Sequence, residues 1–327
     1  MKLLGKCFLF FSILNIGYWI LNTPPVLAFQ LIEEKIPQAI DIVAFGGMSA
    51  GDYDPAKLKN WNKYSFSSVI TATGPALKNV YATELLKLTD GRYKLWFGGW
   101  DSTSITDTTD RIQSAVSSNF LHKNKFDFSP PTWTDRKVEI TDNGAVANDP
   151  DIVAFIPGQY LMHFSTSEAP VGGVKVNDRI EYSFSNDLLN WTNTKPNHNY
   201  IEVLKDGVVM GFMQGPDLVY DNGIYYAYFT NPGDPHATKN HGFNIQIATG
   251  TDGIHFNYLG EVFPPGSPDN GYGGAQSVAK FGNYWFMFYD RYMNALAYAT
   301  STDGKTFTDM GKLVAHPNTT VTNPTVI

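Results

Sequence analysis

A hairpin that opens on a Gly-Pro step constrains this chain more than any other feature. Its clearest copy is QGPDLVYDNGIYYAYFT at 214–230. Pro216 cannot donate to a strand ladder, so it marks the start of a strand rather than its interior. Asn222 and Gly223 can take positive φ and predict a tight turn between two short strands, the second rich in aromatic residues. The segment therefore predicts a β-hairpin with a marked first residue.

The same hairpin recurs along the chain. Copies begin near Pro75, Pro150, Pro216, Ala275 and Pro324, and the last copy stops after one strand. Another strand and turn follow each hairpin; this strand opens on Asp-Arg-Ile in two copies and ends in Thr-Asp-Gly-x-x-Phe in two others. We interpret the Thr-Asp-Gly segments as hairpin turns. Units of about four strands that repeat every 40–50 residues or more are typical of β-propeller blades.

We therefore predict an all-β protein, a five-bladed β-propeller that forms a single domain over residues 29–327. No stretch shows sustained apolar periodicity of 3.6 residues, and the best helix candidate, 83–88, fits a strand equally well. Strands are expected at 42–45 and within 61–72, and this material is assigned to the fifth blade together with 324–327. Closing the ring in this way removes exposed sheet edges. Because the chain stops inside an apolar strand, truncation of a longer protein is an alternative.

Residues 1–28 have the pattern of a signal peptide. Two lysines precede an apolar run at 7–21, which is short for a membrane span, and Val-Leu-Ala at 26–28 offers a cleavage site. We expect cleavage before Phe29 and a secreted or periplasmic protein; the alternative is an uncleaved anchor. The only cysteine is Cys7, so no disulfide is expected in the mature chain.

Composition narrows the class of partner. The net charge is −7 and the sequence has no Lys/Arg run, which argues against nucleic acid. Charged residues make up 17% and aromatic residues 14% of the chain, a balance that suits neutral, ring-shaped ligands. We expect a monomer that binds an oligo- or polysaccharide, with no cofactor and no membrane contact after cleavage. The histidines show no ligand spacing with carboxylates or thiolates, so no metal is expected.

Polar residues at the strand starts are the first candidates for chemistry. First strands line a propeller axis, so Asp149, just before a strand-start proline, is expected to reach the central cavity; the alternative is a turn that caps the strand. Gln214 is a candidate sugar contact that cannot transfer a proton. Asp151 and Asp217 directly follow two of the prolines. Their repeated position favours a structural role, and we keep both as substrate-binding candidates because one of them would reach the cavity.

Further candidates lie where the second strands end. Trp100 and Asp101 close that strand in the first copy, after a Gly-Gly pair that lets the backbone approach another group. Trp100 would either stack on a sugar ring or pack between blades. Asp290 lies at the matching place in the fourth copy, where it would contact substrate or form an internal ion pair with Arg291. The long polar loop at 166–177 is expected to wall the axial pocket.

These segments resemble the blades of five-bladed propeller glycosidases, the family-43 arabinanases and xylosidases and the family-32 fructosidases. The resemblance rests on NDPDIV, on the 214–230 hairpin, and on IQIATGTDGIHF and LAYATSTDGKTF, and it covers roughly residues 72–327. Family-43 enzymes use a base, a modulator and an acid, all carboxylates, at the inner ends of successive first strands. The resemblance implies that Asp149 stands at the modulator position and Gln214 at the acid position. The base position falls on Gly74, or on Ala82 if the first hairpin is registered without its insertion.

Three functional hypotheses follow. The first is a glycoside hydrolase-like enzyme with a rearranged carboxylate set, drawn from Asp149, Asp101, Asp151 and Asp217. The second is a sugar-binding propeller without catalysis, and the third is a protein-interaction propeller. Two opposed carboxylates in the cavity would favour the first, aromatic residues with one carboxylate the second, and an apolar plug the third.

Overall fold

The structure is a computed structural model. It describes, with their side chains, residues 81–99, 110–119, 131–140, 146–167, 178–192, 198–231, 244–263, 274–291 and 295–313. A few further strands are placed by their backbone alone. Most of the predicted signal peptide lies outside the described residues, as do Gly74, Pro75 and Asp101.

Every regular element in the described part of the chain is a β-strand. In chain order the strands are β1 (Val26–Leu27), β2 (Gln30–Lys35), β3 (Ala39–Phe45), β4 (Met48–Ser49), β5 (Trp61–Lys63), β6 (Ile70–Thr71), β7 (Tyr81–Lys87), β8 (Tyr93–Trp100), β9 (Asp110–Ser117), β10 (Thr134–Ile140), β11 (Val146–Ile156), β12 (Gln159–Val171), β13 (Val174–Ser185), β14 (Glu202–Lys205), β15 (Val208–Val209), β16 (Gln214–Asp221), β17 (Ile224–Asn231), β18 (Asn244–Gly250), β19 (His255–Glu261), β20 (Gly273–Phe281), β21 (Tyr284–Arg291), β22 (Ala295–Ser301), β23 (Thr308–Ala315) and β24 (Val321–Val326). The ambiguous segment 83–88 lies mostly in strand β7. None of the described residues forms an apolar helix that could cross a membrane.

Consecutive strands pair to form successive sheets. The sheets are β7–β10, β11–β13, β16–β19 with β14 and β15 on its outer edge, and β20–β23. Another sheet pairs β24 with β2 and continues through β3 to β5, with β6 also on β3. Strands from both ends of the chain therefore share one sheet, while β1 and β4 form a separate pair.

The first strand of each sheet packs against the first strand of the next. Strand β7 contacts β11, β11 contacts β16, β16 contacts β20, β20 contacts β24, and β24 contacts β7 again. Among the strands that the structure places, these five form a closed ring of inner strands. This is the arrangement of a β-propeller, so the predicted all-β, five-bladed fold is confirmed.

The hydrophobic core lies between neighbouring blades. In the described part of the chain, three clusters of buried side chains fill the spaces between the first and second, second and third, and third and fourth blades. Alternate side chains of a strand point to opposite faces of the sheet, so each blade contributes to the cluster on either side of it.

An edge-to-face pair of rings repeats at these three interfaces. One ring comes from the second strand of a blade, and the other follows the outer turn of the next blade. The pairs are Trp96–Trp191, His163–Phe256 and Tyr228–Phe307, with centroids 6.3, 6.1 and 6.0 Å apart and interplanar angles of 83°, 82° and 82°. The phenylalanine of the repeated Thr-Asp-Gly-x-x-Phe segment is therefore an anchor between blades.

The Thr-Asp-Gly segments are hairpin turns, as predicted, and join β18 to β19 and β22 to β23. Asp303 Oδ1 accepts the backbone N–H groups of the two residues after Gly304, at 2.8 and 3.0 Å. The carbonyl of Gly304 accepts the Tyr228 hydroxyl of the preceding blade at 2.6 Å. His163 Nε2 and the carbonyl of Gly253 make the equivalent contact at 2.9 Å.

Two of the predicted strand starts are wrong in register. Thr83, rather than Pro75, is the residue of the first blade that matches Pro150, and Gln276, rather than Ala275, matches it in the fourth blade. The shared feature of these starts is a shift in backbone pairing, which proline tolerates but does not create. Strand starts predicted from the position of proline are therefore wrong in the blades that have another residue at this position.

Candidate functional site

Each described first strand carries a β-bulge near its start. The residue in the bulge has a left-handed backbone, with φ of 47° at Ala82, 51° at Asp149, 57° at Gly215 and 47° at Ala275. Positive φ is uncommon for residues other than glycine and is held here by strand pairing on both sides. The residue before each bulge is half-exposed, whereas the middle of each strand is buried. The bulges therefore mark the end of the inner strands that opens to solvent, which we call the axial end.

The bulge also decides which residue of the first blade matches Asp149. Ala82, the alternative base position, is in register with Asp149, while Gly74, the first base position, lies outside the described residues. Asp149 carries the only ionisable side chain among the four described bulge positions. The other two bulge positions are Gly215, which has no side chain, and Ala275, which has only a methyl group. These positions therefore leave room near the axis.

Asp149 is half-buried at the axial end of β11. Desolvation raises the pKa of its carboxyl to about 6; a hydrogen bond from the Ser165 hydroxyl opposes this rise, and the charge of Asp178 adds to it. The Ser165 oxygen also accepts the N–H of Gly215 at 2.7 Å. Ser165 therefore connects the Asp149 carboxyl to the first strand of the next blade.

Asp178 is a second carboxylate at the axial end, and the sequence analysis did not nominate it. It lies on β13 opposite Ser167 of β12 and is half-exposed. The side-chain amide of Gln214 donates a hydrogen bond to Asp178 Oδ2. The Thr230 hydroxyl donates to the Gln214 carbonyl at 3.0 Å, which holds the backbone of that residue. Gln214 is therefore a donor to a neighbouring carboxylate.

An equivalent amide–carboxylate pair joins the first and second blades. Asn148, in register with Gln214, donates from Nδ2 to Asp110 Oδ2 at 3.3 Å and to the Tyr81 hydroxyl at 3.0 Å. Asp110 and Asp178 are in register and both begin an Asp-Arg-Ile repeat, which is the signal that could have placed them at this end. They differ in exposure, because Asp110 is only 5% exposed.

Asp151 and Asp217 lie farther along their strands, and both are buried. Asp151 Oδ2 accepts the backbone N–H of Leu218 at 2.8 Å, and Asp217 Oδ2 accepts that of Val278. Each carboxylate thus accepts a hydrogen bond from a backbone N–H group on the first strand of the next blade. Burying such an N–H group without a partner would cost stability. This placement links consecutive blades.

The other predicted site residues lie around this end. Trp100 is the last residue of β8, but its side chain and the whole of Asp101 lie outside the described residues. Asp290 is buried on β21. Its neighbour Arg291 contacts Asp309 of β23, with Nη1 and Oδ2 3.4 Å apart. The predicted wall at 166–177 is largely an extension of the β12–β13 hairpin rather than a loop.

Tyr81 is a half-exposed aromatic residue at the axial end that the sequence analysis missed. A Cβ on Gly98 would lie 3.0 Å from the Tyr81 ring and 3.3 Å from Asn148 Cβ, so the ring occupies the space that the glycine leaves. This is the close approach expected of the Gly-Gly pair. The residue was missed because the first blade was registered on Pro75.

The axial end combines groups suited to a polyhydroxylated ligand. Two carboxyls can accept hydrogen bonds, and one of them has a pKa of about 6. The Tyr81 ring lies at the same end, where its hydroxyl accepts a hydrogen bond from Asn148, the residue before Asp149. Among the described residues, no group of three or more His, Cys, Asp or Glu side chains is arranged to hold a metal ion.

No protein-family model and no curated protein matches the sequence. The fold does match solved structures. A family 117 glycoside hydrolase, Zg3597 from Zobellia galactanivorans, aligns with a TM-score of 0.56 at 14% identity, over 88% of this chain and 77% of that one. An alpha-L-arabinofuranosidase from Lactobacillus brevis aligns with a TM-score of 0.55 at 12% identity, over 91% of both chains.

A third structure is the GH43_1 enzyme from Xanthomonas citri complexed with xylotriose, which aligns with a TM-score of 0.51 at 14% identity over 86% of this chain and 90% of that one. This chain has the propeller fold of these glycoside hydrolases. At such identities the likeness concerns the fold alone.

Proposed function

We propose that the protein binds a neutral glycan at the axial end, with Asp149 as its main hydrogen-bonding group. The observation that carries the proposal is the half-exposed Asp149 carboxyl, the only ionisable side chain among the four described bulge positions. Sugar hydroxyls donate to a carboxylate, and the apolar face of a sugar stacks on an aromatic ring such as that of Tyr81. The solved glycoside hydrolases of this fold support a carbohydrate as the ligand class.

We also propose that the protein is exported. The support is the charged start, apolar run and small-residue cleavage site of residues 1–28. N-terminal sequencing of material from the culture fluid or periplasm should begin at Phe29. Retention of Met1 in the mature protein would favour an anchor instead.

The binding proposal is tested by titration calorimetry with xylo- and arabino-oligosaccharides on the full chain and on Asp149→Asn. We expect the substitution to weaken affinity ~10–100-fold, since one charge-assisted hydrogen bond contributes about 1–3 kcal/mol. Asp221→Asn is the matched control, because Asp221 is half-buried at the opposite end of β16. Equal affinities for the two variants, or no binding by the wild type, would overturn the proposal.

Hydrolysis is a second candidate function, favoured by the pKa of about 6 at Asp149 beside the Asp178 carboxylate. A carboxyl that is partly protonated near neutral pH can act as a general acid, and a carboxylate close by can activate water. Aryl arabinosides and xylosides are the probes. If they are cleaved, Asp149→Asn should lower turnover by ~10²-fold or more. Binding without cleavage would exclude hydrolysis and support glycan binding as the only function of the site.

A further inference from the structure

Gln214 and Asp178 form an interaction pair across the second and third blades. Gln214 stands at the start of β16, and its amide donates to Asp178 Oδ2 on β13. Gln214 itself cannot ionise or transfer a proton. The carboxylate at this junction is thus on the third strand of one blade, opposite a neutral donor on the first strand of the next.

Asp178 differs in solvent exposure from the equivalent residue at the preceding junction, between the first and second blades. Asp110 is in register with Asp178 and receives the Asn148 amide in the same way, but it is only 5% exposed. Asp178 and Gln214 are both half-exposed. Two residues with the same local sequence and the same kind of partner therefore differ in whether a ligand can reach them.

Asp149 and Asp178 belong to one hydrogen-bonded network. The Ser165 hydroxyl bonds the Asp149 carboxyl and accepts the N–H of Gly215 at 2.7 Å. Gly215 directly follows Gln214, whose side chain holds Asp178. The network gathers the axial ends of β11, β12, β13 and β16 at one place.

We propose that Asp178 is the second carboxylate of the axial site: Gln214 orients it, and it accepts a hydrogen bond from a ligand hydroxyl beside the one that Asp149 binds. The inference rests on the proposed glycan function and names the residue that completes the site. Among the described residues, the other charged side chains and histidines on β11, β12, β13 and β16 are Asp151, His163, Glu181 and Asp217, all buried, Asp221 at the opposite end of β16, and Arg179. The Arg179 guanidinium lies 5.0 Å from the centre of the Tyr200 ring.

Gln214→Glu perturbs the pair without removing the Asp178 carboxyl. Glutamate at 214 would replace an amide donor facing Asp178 with a carboxyl, and repulsion between neighbouring carboxylates raises the pKa of one of them. The new carboxylate and that of Asp178 should therefore repel at neutral pH, and the pair should take up a proton as the pH falls. We expect the glycan affinity of the variant to be ~10-fold or more below that of the wild type at neutral pH, and the ratio of the two affinities to approach one as both proteins are brought to about pH 5.

The experiment compares Asp178→Asn with Asp110→Asn in the full chain. Asparagine can still accept the amide hydrogen bond through its Oδ1, so both variants are expected to fold. The first readout is the pKa of Asp149, followed by NMR titration of its carboxyl carbon. Asp178→Asn should lower this pKa because a like charge is removed, and Asp110→Asn should leave it unchanged.

The second readout is affinity for the xylo- or arabino-oligosaccharide that the wild type binds most tightly. Asp178→Asn should weaken binding ~10-fold or more, and Asp110→Asn should change it by about twofold or less. Equal effects of the two variants on affinity would overturn the proposed role of Asp178. If the wild type binds no glycan, the proposed function fails. If Asp178→Asn leaves the Asp149 pKa unchanged, the two carboxyls do not interact, and the proposal that they share one site is overturned.

Discussion

At the scale of single residues, Asp149 combines an unfavourable backbone with an unfavourable charge. Its φ is 51°, and desolvation raises the pKa of its carboxyl from 3.8 to about 6. Both features cost stability. A residue that only capped the strand would be expected to be stabilised by its surroundings, so these costs support the proposal that Asp149 is a site residue.

The Asp149 pKa predicts a pH-dependent gain in stability for Asp149→Asn. The folded state holds the carboxyl proton more tightly, so its contribution to the free energy of unfolding falls as pH rises from 3.8 to about 6 and stays lost above that range. Asparagine has no charge to desolvate and tolerates positive φ. We expect the variant to be about 1–3 kcal/mol more stable at pH ~7.5, with little change at pH ~3.5.

Urea unfolding at the two pH values measures this difference. Asp221→Asn is again the control, since its carboxylate pairs with Lys280 and lies away from the axial end. A loss of stability in Asp149→Asn at the higher pH would restore the strand-cap interpretation of Asp149.

At the scale of elements, the outer turns attach each blade to the one before it. Gly304 has φ of 69°, and a Cβ at this position would lie 2.7 Å from the Trp285 ring. The matching residue of the second blade is Leu188, with φ of 63°, and its carbonyl accepts the Lys94 ammonium at 2.7 Å. The turn backbone therefore accommodates a side chain where the neighbouring packing leaves space.

Gly304→Ala and Gly207→Ala separate backbone strain from steric clash. Gly207 has φ of 78°, and a Cβ added there would meet no neighbouring atom within 4 Å, so alanine should cost only the strain of about 1–2 kcal/mol. Gly304→Ala should cost about 1–3 kcal/mol more, because the Trp285 ring must move. Chemical denaturation measures both. Equal losses would mean that the turn does not pack on Trp285.

At the scale of the whole molecule, three outer-turn carboxylates favour the folded state above acidic pH. At Asp187, desolvation would raise the pKa, but N–H groups of Asn190 and Leu189 hold it at about 2. Desolvation likewise opposes, but does not outweigh, the backbone hydrogen bonds that lower the pKa of Asp252 and of Asp303. These are the turns that bring successive blades together.

The lowered pKa values predict a common window of acid unfolding. A carboxylate with a depressed pKa contributes stability that is present above its unfolded pKa near 3.8 and is lost as pH falls toward about 2, the folded value at Asp187. The melting temperature of the wild type should therefore fall as the pH is lowered across this range. The triple variant Asp187→Asn, Asp252→Asn and Asp303→Asn should show a flatter profile by circular dichroism. A profile parallel to that of the wild type would assign acid unfolding to other groups.

The sequence by itself determined the hairpins and the fold class. Turn residues such as Asn222 and Gly223, with φ of 49° and 86°, act over a few neighbouring positions, so their effect can be predicted locally. The concentration of aromatic residues in β17 is equally local. Both properties repeat from blade to blade, and a β-propeller is the arrangement that satisfies them together.

Only the tertiary structure decided the register of the first blade and which residues lie together at the candidate site. Ala82 matches Asp149 because β7 pairs with β8 in a particular register. No residue near Ala82 allows that register to be predicted from the sequence. Asp110 and Asp178 begin the same Asp-Arg-Ile sequence, yet one is buried and the other half-exposed. Burial depends on the neighbouring blade and on segments distant in the chain, so identical local sequence leads to a structural residue in one blade and a candidate ligand contact in the next.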